Sequence, residues 1–236
     1  MAADLLAQLA ASPERAAILL DVDGTLAPIV PRPEDAQVPP ETRAELERLA
    51  GRYALVACVS GRVSADAAAT VGVERLVYVG THGLEVEPEA ERWAAALHEF
   101  AAGVPWPAED KGLSVSFHYR GALDEEAARA ELEGVATAAR AAGLRARFGR
   151  KVLELLPPVD ANKGTAIRRL LGERKLSRAL YAGDDATDLD AFRALDDLEV
   201  GVRVAVASAE GPPELRAAAD LVVANPGALL DLLRAL

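Results

Sequence analysis

Two carboxylates stand two residues apart at the end of an apolar run, in Asp21-Val22-Asp23-Gly24-Thr25. In an extended segment side chains two apart point the same way, so Asp21 and Asp23 can address one point. Gly24 permits a sharp turn there, and Thr25 offers a hydroxyl and a backbone N–H to an anion. Asp and Gly are also ordinary turn residues at strand ends. Two carboxylates at the mouth of an apolar strand, however, repel each other unless a cation or a shared proton intervenes. A hard cation such as Mg²⁺ is the natural answer.

A second acidic cluster, Gly183-Asp184-Asp185-Ala186-Thr187-Asp188, follows another apolar run and precedes a helical pattern. Asp188 alone would suit the start of that helix, which leaves Asp184 and Asp185 unaccounted for. Ser60-Gly61-Arg62 closes a further apolar run with a hydroxyl, flexible backbone donors and a cation. Lys163-Gly164 opens a helix, where a lysine is mildly unfavourable against the helix dipole and is more often a solvated surface charge. Together these four segments carry the parts of a phosphate site in the chain order Asp, Ser, Lys, Asp.

The elements that must position them read as an alternating pattern. Apolar runs at 16–22, 54–60, 75–80, 178–184, 202–207 and 220–224 are short, continuous and β-rich, as buried parallel strands are. Helical patterns at 40–51, 163–175, 187–197 and 226–236 lie between and after them, the last starting at Pro226. Strand–helix alternation predicts a doubly wound α/β sheet, whose ligands lie beyond the carboxyl ends of the strands. Residues 84–160 break the rhythm. Segment 114–120 alternates apolar with polar, 124–143 reads as an amphipathic helix ending at Gly143, and short strands follow at 144–148 and 151–156. The expectation is an α/β core from 1–83 and 161–236, with an α+β unit inserted at 84–160.

Composition narrows the classes. The chain of 236 residues is 51% hydrophobic and 27% charged, an ordinary globular balance. A formal net charge of -11 argues against extended nucleic-acid binding, which needs clustered Lys and Arg. A phosphate ester is compatible with that charge where a metal ion and local cations offset it. Cys58 is the single cysteine and lies in an apolar run, so intrachain disulfides and Cys-based zinc sites are excluded. His82, His98 and His118 have no metal-ligand spacing. No apolar stretch is long enough to span a bilayer, and the N-terminal segment lacks the basic region of a signal peptide, so a cytoplasmic location is expected.

With these residues in hand, the sequence resembles the haloacid dehalogenase (HAD) superfamily of phosphatases, whose four motifs match DVDGT at 21–25, Ser60, Lys163 and GDDATD at 183–188. The resemblance implies a HAD-like core and assigns roles residue by residue. Asp21 would attack phosphorus to give an aspartyl-phosphate, and Asp23 would act as general acid and base. Ser60 and Lys163 would bind phosphoryl oxygens. Mg²⁺ would be held by Asp21, the Asp23 carbonyl and Asp184, with Asp185 and Asp188 supporting through water or hydrogen bonds to the ligands. The insertion looks like the α/β cap of the Cof-like branch, whose members mostly hydrolyse sugar phosphates.

Within that branch the chain is most similar to the trehalose-6-phosphate phosphatases. The similarity is carried by LLDVDGTLAPI, VSGR, THGLE, KGLSVSFHYR, VLELLP, NKG and GDDATDLDAF. It implies sugar or phosphate contacts for Arg62, His82, Gly83, Lys111, His118 and Glu154, beside Thr25 and Gly61, whose donors already suit an anion. Leu189 stands where this family usually has Glu, and THGLE matches its usual His-Gly segment only in part. Each cap residue also has a plainer reading. His118 on an alternating strand can face solvent, Lys111 can be a loop charge, and Glu154 in an apolar run needs either a sugar hydroxyl or a neighbouring Arg. Phosphates of mannosylglycerate, glucosylglycerol and sucrose stand as alternative substrates on the same fold, and a sugar phosphomutase as another activity. A receiver-type signalling domain is disfavoured by Asp23 and by the insertion, and a silent sugar-binding protein by the intact motif set.

Overall fold

The computed structural model describes residues 2–30, 32–149, 151–207 and 211–236. The chain forms two compact units, one of residues 1–83 with 161–236 and one of residues 84–160. In chain order the first unit begins with α1 (Ala2–Ala10), β1 (Ala16–Leu20), α2 (Pro40–Ala50), β2 (Leu55–Val59), α3 (Ser64–Val71) and β3 (Val77–Val79). The second holds α4 (Ala94–Ala102), β4 (Ala108–Asp110), β5 (Val115–His118), α5 (Glu125–Ala141), β6 (Arg145–Gly149) and β7 (Val152–Leu156). The first unit resumes with α6 (Lys163–Arg174), β8 (Arg178–Gly183), α7 (Asp188–Arg193), β9 (Val200–Val206), α8 (Pro213–Ala218), β10 (Leu221–Val223) and α9 (Pro226–Arg234).

The strands of the first unit make a parallel sheet in the order β10-β9-β8-β1-β2-β3. Every residue of β1 and β2 is buried, which is why their sequences are uninterrupted apolar runs rather than alternating ones. On one face Ile18, Leu20, Val56, Cys58, Leu180, Ala182 and Val202 share a core with Leu9 of α1, Leu46 and Leu49 of α2, Val71 of α3 and Leu233 of α9. On the other face Tyr181 of β8 meets Phe192 of α7 edge to face, with ring centroids 6.1 Å apart. From β1 the chain moves outward to β2 and β3, and later returns to place β8, β9 and β10 on the opposite side. That reversal makes the β8/β1 boundary a topological switch point, where open α/β sheets bind ligands.

The second unit is an antiparallel sheet in the order β4-β5-β7-β6. Alternation along β5 and β7 divides it. Val115, Phe117, Leu153 and Leu155 pack with Leu97 of α4 and Leu132 and Ala136 of α5. The other face carries one cross-strand row of Glu109, Ser116, Glu154 and Arg147, in register through all four strands. Asp124 caps α5 by accepting from the amides of Glu126 and Ala127.

Several boundaries contract relative to the sequence expectation. The helix expected over 187–197 is regular only over Asp188–Arg193. Helices α1, α3, α4 and α8 and strand β4 were not among the expected elements. Strand β4 reads Ala-Glu-Asp with all three residues exposed, so no apolar period marks it.

Candidate active site

The parallel register sets the site. Leu20 lies beside Cys58 of β2 and Ala182 of β8, so the chain after β1 emerges between the ends of its two neighbours. Asp21 extends the pairing by donating its amide to the Ala182 carbonyl at 2.9 Å. Asp21 is thus flanked by the Ser60 segment on one side and the Asp184 segment on the other.

Lys163 reaches this point from the first turn of α6. Asn162 caps that helix, accepting from the Thr165 amide at 2.9 Å while Thr165 Oγ1 accepts from the Asn162 amide at 2.9 Å. The Lys163 side chain is 2% exposed, and its Nζ lies 2.9 Å from Asp21 Oδ2 and donates to Asp188 Oδ1 at 2.7 Å. An ammonium at a helix start is unfavourable for the dipole, and here two buried carboxylates outweigh it. Burial opposes its charge, but Asp188, Asp21 and Asp185 together raise the Lys163 pKa, so it remains an ammonium.

Asp188 is the most fully bonded carboxylate of the cluster. Its Oδ1 accepts from Lys163 and from the Tyr181 hydroxyl at 2.6 Å, and its Oδ2 accepts from the amides of Asp184 and Asp185 at 2.8 and 2.9 Å. Gly183 makes this possible, because a Cβ there would lie 2.2 Å from Asp188 Cγ. Asp188 therefore organises the loop that bears Asp184. Asp185 is exposed and turns to the Thr187 amide and hydroxyl. Thr25, expected as an anion donor, is fully buried and gives its hydroxyl to Asp184 Oδ1 at 3.3 Å.

Arg62 forms a two-pronged pair with Asp23, its Nε and Nη2 each 2.7 Å from a carboxylate oxygen. The pair ties the Asp23 carboxylate to the loop that carries Ser60. That loop is in turn stitched to the segment after β3. The amides of Thr81 and His82 donate to the carbonyls of Arg62 and Ser60 at 2.8 and 2.9 Å. Both residues adopt left-handed φ values, 49° and 54°, a strained choice for a β-branched threonine. The turn sets the His82 ring against Gly61, where a Cβ would meet Nε2 at 2.7 Å. Gly83 follows, buried.

The electrostatics favour a cation. One oxygen each from Asp21, Asp184 and Asp188 lies within 4.8 Å of the others, and all three residues are buried. Burial, with the Asp188 and Asp185 charges beside it, pushes the Asp184 carboxyl up to about 7. Burial also raises Asp21 well above the usual carboxylate range, with Lys163 opposing the shift. One ammonium does not balance so many buried carboxylates, and the cluster fits a metal ion. Asp188 has two N–H or O–H donors on each oxygen, whereas Asp21 has one on each and Asp184 one in all, which leaves Asp21 and Asp184 as the carboxylates with capacity for it.

The other expected contacts lie in the second unit, where they form two groups. His118 Nε2 is 2.6 Å and Lys111 Nζ 3.7 Å from Glu109 Oε2. Glu154, 7% exposed, accepts from Ser114 Oγ at 3.3 Å and from Arg147 Nη2 at 2.5 Å. Sequence reasoning passed over Tyr181, Ser114, Glu109 and Arg147. A tyrosine inside an apolar strand run was itself a signal, because its buried hydroxyl must find a partner.

The family model described as trehalose-phosphatase matches residues 19–106 and 107–225. The chain belongs to the trehalose-phosphatase family. A trehalose-phosphate phosphatase of Mycobacterium marinum is 35% identical over 216 residues, 80% of this chain and 54% of that protein. The chain thus spans about half the length of this curated relative. The crystal structure of a trehalose-6-phosphate phosphatase related protein superposes with a TM-score of 0.71 at 27% identity, covering 92% of this chain and 95% of that one. A haloacid dehalogenase-like hydrolase from Bacteroides thetaiotaomicron superposes with a TM-score of 0.64 at 16% identity, covering 94% and 99%. The HAD-like fold expected from the motifs is therefore the fold observed. No helix among the described residues is long and apolar enough to cross a membrane.

Proposed function

We propose that the chain is a Mg²⁺-dependent phosphatase that hydrolyses trehalose 6-phosphate to trehalose and phosphate through an aspartyl-phosphate on Asp21. The observation that carries this reading is the buried Lys163 ammonium 2.9 Å from Asp21 Oδ2, at the switch point of the sheet. A carboxylate held there beside a fixed cation can meet an incoming phosphoryl group whose negative charge the same cation stabilises.

In the first step an Asp21 oxygen attacks phosphorus, the phosphorus–oxygen bond to the sugar breaks, and Asp23 gives a proton to the departing sugar oxygen. In the second, Asp23 takes a proton from the water that attacks phosphorus, the bond to Asp21 breaks, and phosphate leaves. Ser60 and Lys163 hold phosphoryl oxygens, and Arg62 keeps Asp23 directed from the Ser60 loop. Asp21, the Asp23 carbonyl and Asp184 would hold Mg²⁺, with Asp185 and Asp188 supporting them. The ion supplies positive charge against the phosphoryl oxygens. His82, Gly61 and Gly83, near Ser60, stand as further substrate contacts. In the inserted unit Lys111, His118 and Glu154 read the sugar, which makes that unit the specificity cap.

A phosphate-release panel tests the substrate. Trehalose 6-phosphate is expected to show the highest kcat/KM beside mannosyl-3-phosphoglycerate, glucosylglycerol phosphate and sucrose phosphate. A clearly higher value for another ester would replace the substrate while leaving the chemistry in place.

A further inference from the structure

We propose that Tyr181 is a positioning residue for phosphoryl transfer, acting through Asp188 on Lys163. The inference rests on the role given to Lys163 above. Tyr181 is fully buried in β8, seven residues before Asp188, and its ring packs on Phe192. A phenylalanine would fill the same space and make the same ring contact. What the hydroxyl adds is one bond, 2.6 Å to Asp188 Oδ1, the oxygen that also accepts from Lys163 at 2.7 Å.

Sharing that oxygen has two consequences. The Asp188 carboxylate has two donors on each oxygen, so its plane is fixed from both sides and the amides of Asp184 and Asp185 are fixed with it. The Lys163 ammonium also meets an Oδ1 whose charge is already partly engaged. This balances its attraction between Asp188 and Asp21, the latter at 2.9 Å. Without the hydroxyl, Asp188 Oδ1 belongs to Lys163 alone, and the ammonium is drawn from Asp21 and from the phosphoryl group in transit. Burial and the Asp188 charge hold the phenol neutral, so it remains a donor throughout.

The test is Tyr181→Phe in the Mg²⁺-loaded protein. The expected result is kcat lower by about tenfold, the scale of one hydrogen bond to a charged group, with KM within about twofold. The loss should be equal for a sugar phosphate and for p-nitrophenyl phosphate, because the effect lies in the core unit. Orthovanadate, which mimics transferring phosphorus, should bind about tenfold more weakly to Y181F, and Y181F should add nothing to the vanadate loss of Asp188→Asn. A lower melting temperature with kcat and vanadate affinity unchanged would show a purely structural hydroxyl and overturn the proposal. So would additive losses in the D188N background. The vanadate arm needs no turnover, so it reads Tyr181 whichever ester the enzyme prefers.

Discussion

The two units treat buried charge differently. Around Asp21 the first unit concentrates Asp184 and Asp188 against one ammonium, and burial lifts Asp21 and Asp184 above ordinary carboxylate values. In the second unit polar groups on the sheet face opposite the apolar core are matched within the face. Glu154 is paired with Arg147, and Glu109 is shared by His118 and Lys111, with all three basic partners partly exposed. An unbalanced, rigid cluster suits chemistry, because its excess negative charge calls for a cation, and that cation can in turn receive a phosphoryl group. A matched and partly wet face suits recognition, because its pairs can be exchanged for hydroxyls at modest cost. The difference teaches where changes will act: on the rate in the first unit, on substrate affinity in the second.

The largest expected effect comes from breaking the first region. Asp21→Asn keeps the shape and the neighbour of Lys163 but removes the nucleophile, and should lower kcat by at least about 10³-fold. Circular dichroism should show the fold retained, and Mg²⁺-dependent turnover near the parent rate would refute the assignment of Asp21.

A smaller effect is expected in the second region. Glu154→Gln removes the charge that Arg147 and Ser114 hold in place. It should raise KM for the sugar phosphate by about tenfold with kcat within about threefold. Hydrolysis of p-nitrophenyl phosphate, which carries no sugar, should be unchanged. Equal losses on both substrates would erase the contrast between the units.

The mildest test concerns stability. In metal-free protein the Asp184 carboxyl is lifted from 3.8 to about 7, so the native state binds that proton more tightly than the unfolded chain. Its contribution is fully present below the unfolded value and is lost as pH rises towards about 7. Mg²⁺ favours the anion and cancels the loss. The melting-temperature gap between Mg²⁺-loaded and metal-free protein should therefore widen by on the order of 5 °C between pH of about 5 and about 7.5. A gap that does not change with pH would remove Asp184 from the metal site.

Much of this arrangement is legible in the sequence, and the reasons are local. Strands β1, β2 and β8 announce themselves because both sheet faces are covered, and each runs into one of the motif segments, at Asp21, Ser60 and Asp184. The alternation from Ser114 to His118 separates the core-facing Val115 and Phe117 from the polar face, although Ser114 and Ser116 on that face are buried as well. What sequence does not disclose depends on register and on long-range approach. Asp188 reads as a helix-start residue or a metal support. Its hold on Lys163 exists only because α6, arriving after the intervening second unit, packs against α7, whose first residue is Asp188. Arg62 is 39 residues from Asp23, and only the neighbouring placement of β1 and β2 turns it into that carboxylate's partner. Strand β4 is invisible because its residues are exposed and two of the three are charged, and it is defined by pairing to β5 alone.

The most direct measurement of the central claim is a rapid acid quench of the enzyme during turnover of trehalose 6-phosphate, followed by peptide mass analysis. The account predicts the mass of one phosphoryl group on the peptide containing Asp21, transient in the parent protein and absent from Asp21→Asn. A phosphoryl group on a different residue, or full turnover with no phosphorylated peptide at any quench time, would contradict it.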